Sequence, residues 1–406
     1  MNEFASLGSS PRRIRQNNAV AALQALHRLG RLSRAELART MGLNRSSSGN
    51  IIAELTAAGF VRAVQEDASA PSGHVRAGRP GILLELSPEA AFFLGTEIGV
   101  EHITTVEIDL AANIVRSSIE PFDGRSVPVE EAIRRAVEQT FRDIPPHRLS
   151  LCEGFGLSAP AQMDGNGHAS IAPILGWRDV DLSALAKATL PIDVPVLAEN
   201  DANAFAIGAT YTQADARSGV TMFLVIESGV GGGIAIDGKL FRGGRGLAGE
   251  VGHLKVPNRE ERNLEQAIGL GRVIAKYQSS TGRQDVGLAD FLRDVNDREP
   301  NAVVIAEDWA QTLAFAIVQV SRLIDPDRIV LGGSLAKLYP LVAARVAAHV
   351  RELQAPTFPI PDIILNESAA WGSAFGAACM MHQRFLSLDN ERFADDPAPD
   401  GATKNS

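Results

Sequence analysis

The chain has 406 residues, of which 45% are hydrophobic and 21% charged, with two cysteines and a formal net charge of −9. That length exceeds one ordinary core, so two or three domains of a soluble globular protein are expected. Cys152 and Cys379 are too few for a disulfide framework or a multi-cysteine zinc site. The opening MNEFASLGSSPRR lacks the apolar stretch of a secretory signal and no run of about 18 apolar residues stands out, so a cytoplasmic protein with no membrane contact is expected.

Charge is distributed unevenly. Residues 1–90 hold eleven Arg, no Lys and seven acidic residues, a net +4 that leaves −13 for the remainder. A small arginine-rich head on an acidic body points to nucleic acid at one end, although an excess of that size decides little alone.

Within 14–29, Val20, Leu23, Leu26 and Leu29 recur at helical spacing and Gly30 ends the run. Ser33 and Glu36 form a capping box for a helix through Met41, which Gly42 breaks. Asn44 caps a second helix to about Ala58, with Gly59 after it. Helix, short glycine turn and helix spell helix-turn-helix. The second helix turns Ile51, Ile52 and Leu55 inward and leaves Arg45, Ser46, Ser47 and Asn50 at its exposed start, groups that reach base edges and phosphates. Arg34, at the start of the preceding helix, joins them as a DNA-binding candidate. Gly49 inside this helix weakens the pattern by up to about 1 kcal/mol against alanine. VRAVQ and GILLELS then read as strands flanking a Ser/Gly/Pro-rich loop, the wing of a winged helix, with Arg79 of AGRPG placed to enter a minor groove.

From Ala91 the pattern becomes an alternation of strands and helices. AFFLGTEIGVEHITTVEIDL predicts two strands joined by a tight turn; 129–142 reads as helix. Short apolar strands follow at 151–158, 194–198, 221–226, 233–237 and 328–333, with long helices at 302–324 and 372–385. This alternation predicts an α/β body with mostly covered sheets. The last twenty residues are polar, acidic and proline-bearing, the composition of a disordered tail.

Four loops of the body, LSAPAQMDGNGHASIAPILGW, LAENDANAFAIGA, GVGGGIAIDGKLFRGGRGLAGEVGH and RIVLGGS, together with the head's LSRAELARTMGLNRSSSGNIIAEL and AGRP, resemble in order those of the ROK family of sugar kinases and sugar-responsive repressors. The winged head places the resemblance in the xylose and N-acetylglucosamine repressor branch. It implies a winged helix-turn-helix domain at 1–88 and an actin-like (ribonuclease H-like) two-lobed body of sugar-kinase type. The first lobe would span 89–205, completed by a C-terminal helix at 371–387. The second lobe, with the dimerisation surface, would span 206–370, ahead of the tail at 388–406.

Asn200 and Asp201 sit where a predicted strand gives way to a helix, the usual place for a ligand-facing loop. A carboxylate there accepts from sugar hydroxyls or acts as a base on one, and an amide both donates and accepts. Glu250 and His253 lie on a glycine-bounded turn, and Glu265 begins the next helix. In the family the matching residues clamp the sugar, and in its kinases the matching aspartate is the base.

The departures from the family pattern are as informative. Members commonly carry a cysteine-rich zinc loop after this histidine; here the interval is VPNREERN, without a thiolate, so no metal is expected. The first phosphate loop of such kinases reads Asp-x-Gly-Gly-Thr, and here it is Glu97-Ile98-Gly99-Val100-Glu101. The second, usually Gly-Thr-Gly, is Glu227-Ser228-Gly229. Valine bars a close backbone approach and the added carboxylates repel a triphosphate, so no nucleotide cofactor is expected. Gly231, Gly232 and Gly233 survive but read equally as a tight strand connection. Asp201 is then a lapsed base, and no catalytic residue is expected.

These readings converge on a sugar-responsive transcriptional regulator of repressor type. Its partners would be double-stranded operator DNA, a sugar or sugar-phosphate effector, and further copies of itself as a dimer or tetramer. Two rivals remain open. One is an active ATP-dependent sugar kinase with an appended DNA-binding head; the other is a DNA-binding protein whose cleft has lost its sugar and answers to a partner protein.

Overall fold

The computed structural model describes residues 11–65, 82–212, 217–257, 261, 263–366 and 371–387. Arg79, the intervening wing loop and the acidic tail lie outside these residues.

The N-terminal part runs α1 (Pro11–Leu29), β1 (Leu32–Ser33), α2 (Arg34–Thr40), α3 (Arg45–Ala57), β2 (Val61–Gln65) and β3 (Ile82–Leu86). Local chemistry sets its corners. Ser33 and Glu36 close the capping box on α2, and the Asn44 side chain accepts from the Ser47 N–H at the start of α3. Gly42 and Gly59 end the two helices with φ of +66° and +81°. Val20, Leu23 and Leu26 are buried, whereas Leu29 at the end of α1 stays exposed. β2 and β3 pair antiparallel, and Leu32 and Ser33 add a short third strand beside β3 that alternation in the sequence does not reveal.

The chain continues with β4 (Phe92–Ile98), β5 (His102–Asp109), β6 (Ile114–Pro121), α4 (Val129–Phe141), β7 (Cys152–Ala159), β8 (Gln162–Met163), β9 (His168–Ala172), β10 (Trp177–Asp181), α5 (Leu182–Thr189), β11 (Val196–Asn200) and α6 (Asp201–Thr212). Then follow β12 (Val220–Ile226), β13 (Val230–Ile236), β14 (Lys239–Leu240), α7 (Leu264–Ile268), α8 (Leu270–Thr281), α9 (Leu288–Asn296), α10 (Pro300–Ile324), β15 (Arg328–Gly332), α11 (Tyr339–Leu353), β16 (Asp362–Leu365) and α12 (Gly372–Phe385). The body holds two five-stranded mixed sheets, ordered β11-β7-β4-β5-β6 and β14-β13-β12-β15-β16, and a small β10-β9-β8 sheet.

α12 comes last in the described chain yet packs on the first sheet. Its backbone lies so close that a Cβ on Gly95 or Gly156 would sit 2.0 Å from a carbonyl oxygen of α12. α6 packs against both α12 and β13, so position 205/206, where a lobe boundary is expected, falls inside a helix that both sheets share. One apolar cluster joins α1 and α3 to β4, β5 and α12, with Phe60 set edge-on to Phe385 at 5.5 Å.

Among the described residues, α10 alone is long and apolar enough by composition to cross a membrane. However, 61% of its most apolar stretch is buried, and Trp309, Leu313 and Ile317 fill the core between the second sheet and its neighbouring helices. Its hydropathy is that of a core helix.

Candidate functional site

The two large sheets meet at a cleft that the chain enters from the carboxyl ends of parallel strands, where an α/β sheet leaves its loops free for a ligand. The β4–β5 turn, the loop after β7 and the β11–α6 junction line it from one side. The β12–β13 turn, the 3-10 turn Val251–His253 and the start of α7 line it from the other. Asn200, Asp201, Glu250, His253 and Glu265, drawn from three separate stretches of sequence, all reach this one cleft.

Asn200 is more committed than its sequence position implies. Its Oδ1 accepts from the N–H groups of Ala202 (3.0 Å) and Asn203 (3.1 Å), capping α6, and its Nδ2 donates to the Ala161 carbonyl at 3.0 Å. One amide hydrogen is left for a ligand. Asp201 opens α6, half-buried, with Oδ1 accepting from the Ala202 N–H at 2.8 Å. Burial lifts its pKa to about 6, against that backbone bond and with help from the charges of Glu250 and Glu227.

Glu250 stands with Oε2 3.6 Å from His253 Nε2. Burial raises its carboxyl above the ordinary range, His253 opposing and Glu265 reinforcing. Glu265 accepts from the Val230 N–H at 3.3 Å, while the His253 side chain is 55% exposed. Glycines hold this turn against β13: a Cβ on Gly249 (φ +95°) would lie 2.5 Å from the Gly232 carbonyl oxygen. Gly231 and Gly233 press on Ala202 and Ala206 of α6, so the triple glycine is taken up by packing.

Further acidic groups stand on both sides of the cleft. Glu97 is buried and its pKa is driven well upward, first by burial and then by Asp201 and Glu227. Glu101 accepts from the Ser228 hydroxyl at 3.0 Å, which ties the β4–β5 turn to the β12–β13 turn across the cleft. Glu227 accepts from the Ser334 N–H at 2.5 Å and from its hydroxyl at 2.6 Å. The donors that open the turn after β15 are therefore satisfied by a carboxylate of the chain itself.

A family model described as the ROK family matches residues 93–384, more than half of the chain. This chain belongs to the ROK family. The xylose repressor of Bacillus spizizenii is 22% identical over 381 residues, which cover 92% of this chain and 97% of that protein. A crystal structure of a ROK family transcriptional regulator, a homologue of the E. coli MLC protein, matches with a TM-score of 0.73 at 18% identity, covering 92% of this chain and 97% of the other. A ROK family glucokinase from Streptomyces griseus, solved with glucose and AMPPNP, matches with a TM-score of 0.64 at 21% identity over 72% of this chain and 100% of its own. These likenesses establish the actin-like α/β body.

The family match begins after the N-terminal elements. There Arg34, Arg45, Ser46 and Asn50 are exposed along the starts of α2 and α3. Ser47 is half-buried, its N–H is taken by the Asn44 cap, and Ser48 behind it is fully buried. Gly49 on this helix has nothing within 4 Å of where a Cβ would stand, so no packing inside the ROK chain requires it.

Sequence reasoning passed over two residues that line the cleft and one behind it. His102 and Gln162 line it from the first positions of β5 and β8, where the sequence carries no signature for them. Glu199 is buried beside Asn200, accepting from the Asn200 N–H (3.0 Å), Asn203 Nδ2 (3.1 Å) and Arg242 Nη2 (2.7 Å). The one available signal was its place as first residue of the ENDANA motif.

Proposed function

We propose that this chain is a sugar-responsive transcriptional regulator of repressor type, acting in the cytoplasm on operator DNA as a dimer or higher oligomer. In this reading the cleft binds its effector without phosphorylating it. The observation that carries the reading is Glu227, whose carboxylate fills the Ser334 donors at 2.5 and 2.6 Å on the side of the cleft where a kinase would need to cradle polyphosphate. Glu101 adds like charge beside it. Asn200, Asp201, Glu250, His253 and Glu265 supply the ring of acceptors and donors suited to hydroxyls.

The charge balance narrows the effector. Glu97, Glu101, Asp201, Glu227, Glu250 and Glu265 line the cleft with His102 and His253, and no described lining residue is Lys or Arg. An unphosphorylated sugar fits this lining; a sugar phosphate meets repulsion from Glu101, Glu227 and Glu265 that no described lining residue offsets, the nearby Arg125 being 3.9 Å from Glu101. The N-terminal elements are read as a winged helix-turn-helix, supported by the two capped helices, the antiparallel β2–β3 pair and the polar start of α3. Arg34, Arg45, Ser46, Ser47, Asn50 and Arg79 are its proposed DNA contacts. The xylose repressors among its relatives favour a pentose among the candidates.

The test pairs fluorescence anisotropy on duplexes from the DNA flanking the chain's own gene with a panel of pentoses and hexoses. A sugar-dependent change in affinity, with no turnover of Mg-ATP in a coupled assay, is expected. Sugar phosphorylation that disappears in Asp201→Asn would overturn the reading in favour of a kinase.

A further inference from the structure

A second cavity, of about 650 Å³, lies where α1 meets the body and shares no lining residue with the cleft. Its size falls in the range of small-molecule sites. α1, α6, the β13–β14 hairpin and the end of α12 wall it, so one pocket touches the N-terminal head and both halves of the body. Its charge is the reverse of the cleft's. Arg28, Lys239 and Arg242 line it, and none of its described lining residues is Asp or Glu, in a chain that carries a net −9. His27 also lines it, its ring tilted against Tyr211 with centroids 5.1 Å apart, and its buried Nδ1 has no hydrogen-bond partner.

We propose that this cavity is a second effector site, for a small anionic metabolite whose phosphate or carboxylate group is held between Arg28 of α1 and Lys239 and Arg242 of the body. Cationic groups converging from separate elements on one polar pocket are the arrangement that recognises such an anion. A molecule bound there bridges head and body and restrains the head's orientation.

The site is wired to the cleft through one side chain. Arg242 donates to Glu199 through Nη2 at 2.7 Å and Nε at 3.0 Å, and Glu199 also accepts from the Asn200 N–H beside Asp201. An anion that competes for Arg242 loosens its hold on Glu199. Sugar and anion then alter each other's affinity by the same factor, as linkage requires. This coupling rests on the proposed sugar response; the anion site itself does not.

Isothermal titration of the full chain, without DNA, with inorganic phosphate, glucose 6-phosphate and citrate tests the site. One saturable site for at least one of these anions is expected, weakened tenfold or more in Arg28→Gln and in Lys239→Gln. Both changed residues are exposed, and the thermal shift given by a neutral sugar should stay as in the parent protein. Absence of saturable anion binding, or anion binding in both variants as tight as in the parent protein, overturns the proposal. If a neutral sugar stabilises the protein and no anion binds, the anion site fails and the regulator reading stands. If an anion binds as described and no sugar acts, the site stands and the regulator reading fails.

Discussion

Asp201→Asn isolates what a carboxylate on the cleft floor does to the unliganded protein. Asparagine keeps the shape, and its oxygen still accepts from the Ala202 N–H, so the change is one of charge. The carboxyl rises from 3.8 to about 6 on folding, chiefly through burial, with Glu250 and Glu227 adding to the effect. That difference of roughly two units amounts to at most about 3 kcal/mol. Because the folded pKa is the higher one, the folded state holds the proton more tightly. Stability is therefore fullest below pH 3.8 and falls as pH rises through about 6. The substituted protein lacks that decline. It should exceed the parent by up to about 3 kcal/mol at pH 8, with the gap closing toward pH 4. Urea unfolding at several pH values between 4 and 8 measures this directly. An advantage that does not vary across the window, or a variant less stable throughout, would refute the reasoning. The same logic gives the parent's sugar affinity a pH dependence: hydroxyls donating to the ionised carboxylate should bind more tightly as pH rises through about 6.

Other changes separate the two ends of the molecule. Arg79→Ala should weaken operator binding and reduce its salt slope by about one, leaving sugar affinity alone; filter binding at several salt concentrations reads both. Glu250→Gln or His253→Ala should abolish the thermal shift caused by sugar while operator binding persists, and loss of folding in either would assign that turn a structural role instead. Gly49→Ala adds a methyl where nothing lies within 4 Å, so it should raise stability by up to about 1 kcal/mol. If α3 lies against DNA as proposed, the same methyl should lower operator affinity; unchanged affinity in anisotropy would move the contact face elsewhere.

Features that the sequence determined by itself are those settled within a turn or two. Ser33 with Glu36, and Asn44 with the Ser47 N–H, are contacts three residues apart, so the starts of α2 and α3 could be written down from the letters. The inner strands were legible too: β4, β7 and β12 are almost wholly buried and therefore nearly continuously apolar. Strand β6 was not, because at the sheet edge its IVRSSIEP alternates between exposed and half-buried positions without an apolar face. The strands β8 to β10, two to five residues long, are too short for a periodicity to show, and the helices α5, α8, α9 and α11 were not read from the sequence either.

The family motifs named the five hydroxyl-side residues, and the replaced loops showed where Glu97, Glu101 and Glu227 stand. Only the tertiary structure decided what those groups do. Glu227 and Ser334 lie 107 positions apart and Arg242 and Glu199 lie 43 apart, so the order of strands in each sheet, and not any local spacing, brings them within hydrogen-bond reach. The basic cavity between α1 and the β13–β14 hairpin is likewise absent from any one stretch of sequence, since its charges converge only once α12 has docked the N-terminal helices on the body. Capping is a contest between neighbours along the chain, whereas pairing of distant charges depends on which surfaces the core forces together.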